Sequence, residues 1–123
     1  MKNVKFDFSD FTVLVTGGAS GMGAQVGGLF ASAGADVLIV DANAELAEQT
    51  ARTIGATALK GDVSQAEFCD AAVATAVQRT GRLNAVVNAA GIIARKTGVE
   101  TTDEEWQSAM AVNTGGVFYM TRA

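Results

Sequence analysis

The sequence predicts an α/β protein built on a doubly wound parallel sheet, and three observations predict it. Short apolar runs recur along the chain with helix-length segments between them. The runs lack polar alternation, as strands buried on both faces do. The β-α order repeats four times, which calls for helices on both sides of a parallel sheet.

Taken in order, Met1–Asp10 is a polar-aromatic lead-in without the apolar centre of a secretory signal. Phe11–Val15 is the first strand. It enters a glycine-rich turn, Thr16-Gly17-Gly18-Ala19-Ser20-Gly21-Met22-Gly23. The helix from Met22 to Ala33 places Met22, Val26, Leu29, Phe30 and Ala33 on one apolar face, and Gly34 ends it. Gly27-Gly28 in its middle costs about 1 kcal/mol per glycine relative to alanine. Neutral variation and close packing on the sheet both account for that pair.

Ala35–Val40 is the second strand, ending at Asp41. Asn43 is placed to cap a helix whose inner face carries Leu46, Thr50 and Ile54 and which Gly55 stops. Thr57–Gly61 is a weaker third strand, followed by Asp62-Val63. Ser64-Gln65-Ala66-Glu67 has the spacing of a capping box. The helix after it carries two apolar rows, Phe68/Ala72/Ala76 and Cys69/Val73/Val77, and ends near Gly81. Asn84–Asn88 is the fourth strand, running into Ala89-Ala90-Gly91. After a loop from Ile92 to Thr101, Thr102-Asp103-Glu104-Glu105 forms a second capping box. Its helix, with Trp106, Met110, Asn113 and Val117, runs towards the end of the sequence. No repeats or linkers interrupt the chain, so residues 1–123 form a single domain.

Composition narrows the function. A chain of 123 residues with 49% hydrophobic residues can bury one modest core and is not a disordered segment. A net charge of −4, with Lys2, Lys5, Arg52, Lys60, Arg79, Arg82 and Lys96 scattered, offers no basic face for nucleic acid. With no histidine, Ser-His-Asp chemistry, Cys-His nucleophiles and His-ligated metal sites are excluded, and no metal site is expected. The single cysteine, Cys69, lies on an apolar row and reads as a buried thiol rather than a reactive one. No apolar run reaches the ~18 residues of a membrane span, and the chain is expected to be cytoplasmic.

In an open parallel sheet, ligands bind beyond the carboxyl ends of the strands, where the strand order reverses. Here Gly17–Gly23 follows strand one, Asp41 strand two, Asp62 strand three and Asn88 strand four, all at one edge. A glycine-rich turn opening a helix is a cradle for phosphate. The first amides of the helix are unpaired, and its dipole favours negative charge. Asp41 alone is an ordinary strand-end carboxylate. With a glycine turn about twenty residues before it, a hydrogen bond to an adenosine ribose becomes the better reading. A carboxylate there repels a 2′-phosphate, which favours NAD over NADP. A P-loop NTPase is excluded because no Gly-Lys-Ser/Thr follows the turn.

These residues resemble the short-chain dehydrogenases/reductases, a family with an NAD(P)-binding Rossmann-type sheet. The expected sheet is therefore incomplete, of about four strands in the order 3-2-1-4. Thr16–Gly23 is similar to the family's TGxxxGxG loop, which implies cofactor contacts at Gly17, Ser20, Gly21, Met22 and Gly23. Members preferring NADP often carry a basic residue where Ser20 stands and lack the acid at Asp41, so both positions imply NAD. Asp62-Val63 resembles the pair that contacts adenine. Asn88-Ala89-Ala90-Gly91 is similar to the family's NNAG, with Ala89 in place of its second Asn, and implies contacts at Asn88, Ala90 and Gly91. Asn113 looks like the helix asparagine of the catalytic tetrad, which holds a water in a proton relay.

The resemblance covers the first half of a family member. The Tyr-x-x-x-Lys pair and its serine, which exchange the proton with an alcohol or ketone while hydride moves, have no counterpart here. Tyr119 is the only tyrosine, Ala123 stands four residues after it, and it reads as packing. The chain is thus expected to be the NAD-binding half of an oxidoreductase acting on a small alcohol or ketone. A non-catalytic dinucleotide-binding or interaction module is the alternative, and a methyltransferase-like domain a weaker one. Strand four, apolar at Ala85-Val86-Val87, is expected to be an open edge through which the chain self-associates.

Overall fold

The computed structural model describes residues 4–123; Met1 to Asn3 of the lead-in lie outside the described residues. Four parallel strands form the sheet: β1 (Thr12–Thr16), β2 (Asp36–Asp41), β3 (Thr57–Lys60) and β4 (Ala85–Asn88). Their order is β3-β2-β1-β4, as the sequence predicts. Pairing sets Thr16 opposite both Val40 and Asn88, and Asp41 opposite Lys60, so the carboxyl ends finish at one level.

Alternation along β1 and β2 feeds two cores, one on each face. Leu14, Leu38 and Val40 pack with Cys69, Ala72 and Ala76 of α3 (Ala66–Thr80) and Met120 of α5 (Gly116–Arg122). Val13, Val15, Val37 and Ile39 pack on the other face. There they meet Phe30 of α1 (Gly21–Ser32) and Ala51 and Ile54 of α2 (Ala44–Ile54). Each fully buried Leu, Ile or Val contributes about 1.5–3 kcal/mol relative to exposure. The middle of the sheet therefore anchors everything at its ends.

The helix faces depart from the simple apolar rows. In α1 the buried residues are Gly23 and Gly27, while Met22 is 81% exposed and Leu29 69% exposed. The reason is distance: a Cβ on Gly27 would lie 3.3 Å from Ile54 Cδ1 and 3.5 Å from Ile39 Cγ2. Close packing, not neutral variation, accounts for that glycine. Likewise α2 meets the core through Ala47 and Ala51 together with Ile54 of the predicted row, while Leu46 is left 37% exposed. The predicted stops hold, since Gly34 and Gly55 both adopt positive φ, and Asn43 caps Leu46 N–H at 3.0 Å.

The capping box expected at Ser64–Glu67 does not form. α3 starts at Ala66 with no side-chain cap. Asp62 makes the turn instead, its Oδ1 accepting the Ser64 N–H (2.9 Å) while its carbonyl accepts the Gln65 N–H (3.1 Å). The Thr102–Glu105 box does form, with both halves present, at the start of α4 (Asp103–Met110).

Beyond Met110 the predicted single helix is divided. A π-helical turn, Ala111–Gly115, separates α4 from α5. The row Trp106, Met110, Asn113 and Val117 faces outward, with Trp106 63% exposed, whereas Gly116 and Met120 are buried. A Cβ on Gly116 would lie 2.7 Å from Val63 Cγ2, so this contact sets the approach of α5. Among the described residues no helix is long and apolar enough to cross a membrane.

Candidate functional site

A cleft of about 330 Å³ opens beyond the carboxyl ends of the strands, bounded by Gly17, Asp41, Asp62, Val63, Ala90 and Gly91. Ile92, Ser108 and Val112 close its far side. It lies where the order turns from β2-β1 to β1-β4, the crevice such sheets use for ligands.

The glycine turn is built by close approach. Gly17 has φ +62°, and a Cβ there would fall 2.7 Å from the backbone of Ala90. At Gly23 the added carbon would stand 2.2 Å from the Gly17 carbonyl oxygen, so the start of α1 sits directly on the turn. The middle of the turn is tied to β2 and α2. Gly18 N–H donates to the Val40 carbonyl (3.1 Å), Ala19 N–H to Asp41 Oδ2 (3.1 Å), and the Thr50 hydroxyl donates to the Ala19 carbonyl (2.7 Å).

The start of α1 is left open. Ser20 is extended, makes no capping bond, and is followed by no acidic residue in the first turn. The hydrogen bond from Ala24 N–H to the Ser20 carbonyl begins the helical ladder, so the amides of Gly21, Met22 and Gly23 precede it. A Cβ on Gly21 would meet nothing within 4 Å. The amides of the exposed Gly21 and Met22, with the helix dipole behind them, fit an anion such as pyrophosphate.

Asp41 is half-buried, and its two oxygens each accept one backbone N–H, from Ala19 and from Asn43. An ionised carboxylate accepts about four hydrogen bonds, so capacity remains towards the cleft. Asp62 accepts from Ser64 and presents Val63, which is buried at the cleft wall. The Val63 carbonyl accepts from the Cys69 thiol at 3.4 Å. Cys69 is buried, and burial, aided by Asp70 and Asp62, pushes its thiol pKa up, which makes it the inert residue its apolar row predicts.

The structure brings Gly17, Asp41, Asp62, Val63, Ala90 and Gly91 together, with Ser20, Gly21 and Gly23 at the adjoining start of α1. Met22 points its side chain to solvent and offers only its backbone. Asn88 stands apart, in a groove along β4 beside Val73, Leu83 and Met120. Asn113 is outside the cleft but braces it through two hydrogen bonds to Ile92. Tyr119 packs against the core with Phe118 beside it and the Arg122 guanidinium over its ring.

Thr16 and Thr50 are contributors that the apolar pattern passes over. Thr16 Oγ1 accepts the amides of Ala89 and Ala90, both at 3.2 Å, and so latches the turn after β4 to the turn after β1. A hydroxyl at the end of an otherwise apolar strand is the signal that could have found it, because a buried polar group needs a partner. Thr50 carried the same signal on the inner face of α2.

A parallel sheet in this order, with a glycine turn over its switch point, defines a Rossmann-like α/β domain. The profile of the short chain dehydrogenase family matches residues 11–123. The chain is 37% identical, over 128 aligned positions, to the D-threitol dehydrogenase of Mycolicibacterium smegmatis, covering 98% of this chain and 49% of that protein. A crystal structure of a short-chain dehydrogenase/reductase from Brucella melitensis, described as a glucose/ribitol dehydrogenase, superposes with a TM-score of 0.92 at 31% identity, covering 97% and 52%. The 3-ketoacyl-(acyl-carrier-protein) reductase of the same organism, solved with NADH, superposes with a TM-score of 0.85 at 37% identity, covering 91% and 48%. The chain belongs to the short-chain dehydrogenase family. It spans about half the length of the curated relatives it matches.

Proposed function

We propose that the chain binds a nicotinamide dinucleotide in the cleft, with NAD preferred over NADP, as the cofactor-binding part of an oxidoreductase acting on a small alcohol or ketone. One observation carries this reading: Gly17, the carboxylate of Asp41 and the Asp62-Val63 wall line one crevice at the switch point, and the uncapped start of α1 follows directly on that turn. On this reading the Ser20–Gly23 backbone holds the pyrophosphate and Asp41 accepts from the adenosine ribose. Asp62 and Val63 flank the adenine, and Ala90 and Gly91 give the dinucleotide room to pass β4.

Bound there, the nicotinamide would supply or accept hydride. Asn113 keeps the role of shaping that end of the cleft, since its side-chain amide is engaged by Ile92. Its part in a water-mediated proton relay, and that of Asn88 beside the dinucleotide, rest on the family resemblance. Relatives named for D-threitol and for glucose or ribitol support a polyhydroxylated alcohol as substrate. These residues contain no Tyr-x-x-x-Lys pair to move the proton, so the 123 residues are expected to bind cofactor without turning over an alcohol.

Calorimetric titration with NADH, NADPH and S-adenosylmethionine tests the reading. Binding of NADH ahead of NADPH is expected. S-adenosylmethionine binding without NADH would overturn it, and alcohol turnover would mean that another group of these residues moves the proton.

A further inference from the structure

The glycine turn contains one residue, Ala19, whose N–H and carbonyl are both held by residues outside the turn. The Ala19 N–H is taken by Asp41, and the Ala19 carbonyl accepts the Thr50 hydroxyl at 2.7 Å. Ala19 itself is buried, 3% exposed, so its carbonyl cannot turn to bulk water instead. Among the described residues Thr50 is the donor this carbonyl meets. Ala19 immediately precedes Ser20, whose extended conformation launches α1 and aims the amides of Gly21–Gly23.

We infer that Thr50 is a positioning residue for anion binding: from the middle of α2, its hydroxyl fixes the Ala19–Ser20 peptide and with it the direction of the amides at the start of α1. The inference rests on the cleft being a dinucleotide site. Thr50 touches no part of the cleft boundary, and α2 contributes no side chain to it. Its influence passes through one hydrogen bond across 31 residues of sequence.

The geometry explains why a threonine sits on the face α2 turns towards α1. A valine would fill the same volume but leave a buried carbonyl unpaired, and relieving that defect means rotating the Ala19–Ser20 peptide. Rotation there changes the ψ of Ala19 and the φ of Ser20, the two angles that orient the helix start. Asp41 cannot compensate, because a carboxylate holds the N–H but repels the carbonyl.

The test compares the wild-type chain with Thr50→Val and Thr50→Ser. NADH affinity is expected to fall about tenfold in Thr50→Val and to stay within about twofold of wild type in Thr50→Ser. In the unliganded proteins, amide hydrogen exchange at Ser20–Gly23 is expected to speed up in Thr50→Val only, with exchange at Val37–Ile39 unchanged. Equal NADH affinity in all three proteins overturns the inference. A uniform acceleration across Val37–Ile39 also overturns it, because it would mean that α2 had merely loosened. Failure of the wild type to bind NADH overturns the dinucleotide reading instead; the pin is then decided by the unliganded exchange alone, and unchanged rates at Ser20–Gly23 reject it.

Discussion

The side chain of Asn113 hydrogen-bonds both ends of one residue: its Oδ1 accepts the Ile92 N–H and its Nδ2 donates to the Ile92 carbonyl, each at 2.8 Å. It thereby closes a small ring between the π-helical turn and the segment leaving β4. Gly91 lies against the same amide, since a Cβ there would be 3.4 Å from Asn113 Oδ1. Removing the amide with Asn113→Ala is expected to cost about 1–2 kcal/mol and to free the 92–101 segment. Limited proteolysis should cut that segment faster, and urea unfolding gives the energy. An unchanged cleavage rate would show that the brace is dispensable.

Asp41→Ala removes both the proposed ribose acceptor and the partner of the Ala19 N–H. NADH binding should weaken by about tenfold and the preference over NADPH should narrow, because the repulsion of a 2′-phosphate is gone. Parallel titrations with the two cofactors check this. Equal weakening of both would leave Asp41 only its role in holding the turn.

Gly17→Ala asks a residue with a side chain to hold φ +62° with its Cβ 2.7 Å from the Ala90 backbone. Strain of this kind costs about 1–3 kcal/mol before the clash is counted. The urea midpoint should fall accordingly, and a wild-type midpoint would mean that the two turns are not in contact.

Glu105 is held below the ordinary carboxylate range by Lys96 first and by the Thr102 N–H second. A depressed folded pKa gives stability that is complete above the ordinary glutamate value of 4.5 and is lost as pH falls through the lower folded value. The stability gap between wild type and Glu105→Gln should therefore exist near neutrality and close on acidification. A gap unchanged at about pH 3 would contradict the assignment.

β4 is an edge strand of the sheet, and the groove beside it leaves Leu83 and Val86 only half-buried. An unprotected apolar edge invites pairing with another chain. Light scattering of the 123-residue chain is expected to show association that grows with concentration. A clean monomer at high concentration would reject the expectation.

The parallel sheet was legible in the sequence because strands buried on both faces are unbroken apolar runs, and Val13–Val15 and Val37–Val40 are such runs, while the strand order followed from the family resemblance. The cleft followed from it, since Gly17, Asp41 and Asp62 sit at strand ends wherever the helices pack. Helix faces were harder to read. Where α1 approaches β2 closely, the inner face consists of Gly23 and Gly27, and hydrophobicity then marks the outer side. At Ser64 the local signal was a cap, but the Asp62 carboxylate had already taken the Ser64 amide. Asn88 looked like a cleft residue from its place in the motif, yet its alternation sends it to the face that carries Val86 and α5.

The π-helical turn at Ala111–Gly115 has a consequence for how length can vary here. Such a turn holds one residue more than an α-helical turn would. Deleting a residue from it would make α4 and α5 a continuous rod and rotate everything beyond by about 100°. Asn113 could then keep Ile92, or Gly116 could keep its seat on Val63, but not both. The extra residue is a phase adjustment that lets one rod serve two partners set at incompatible angles.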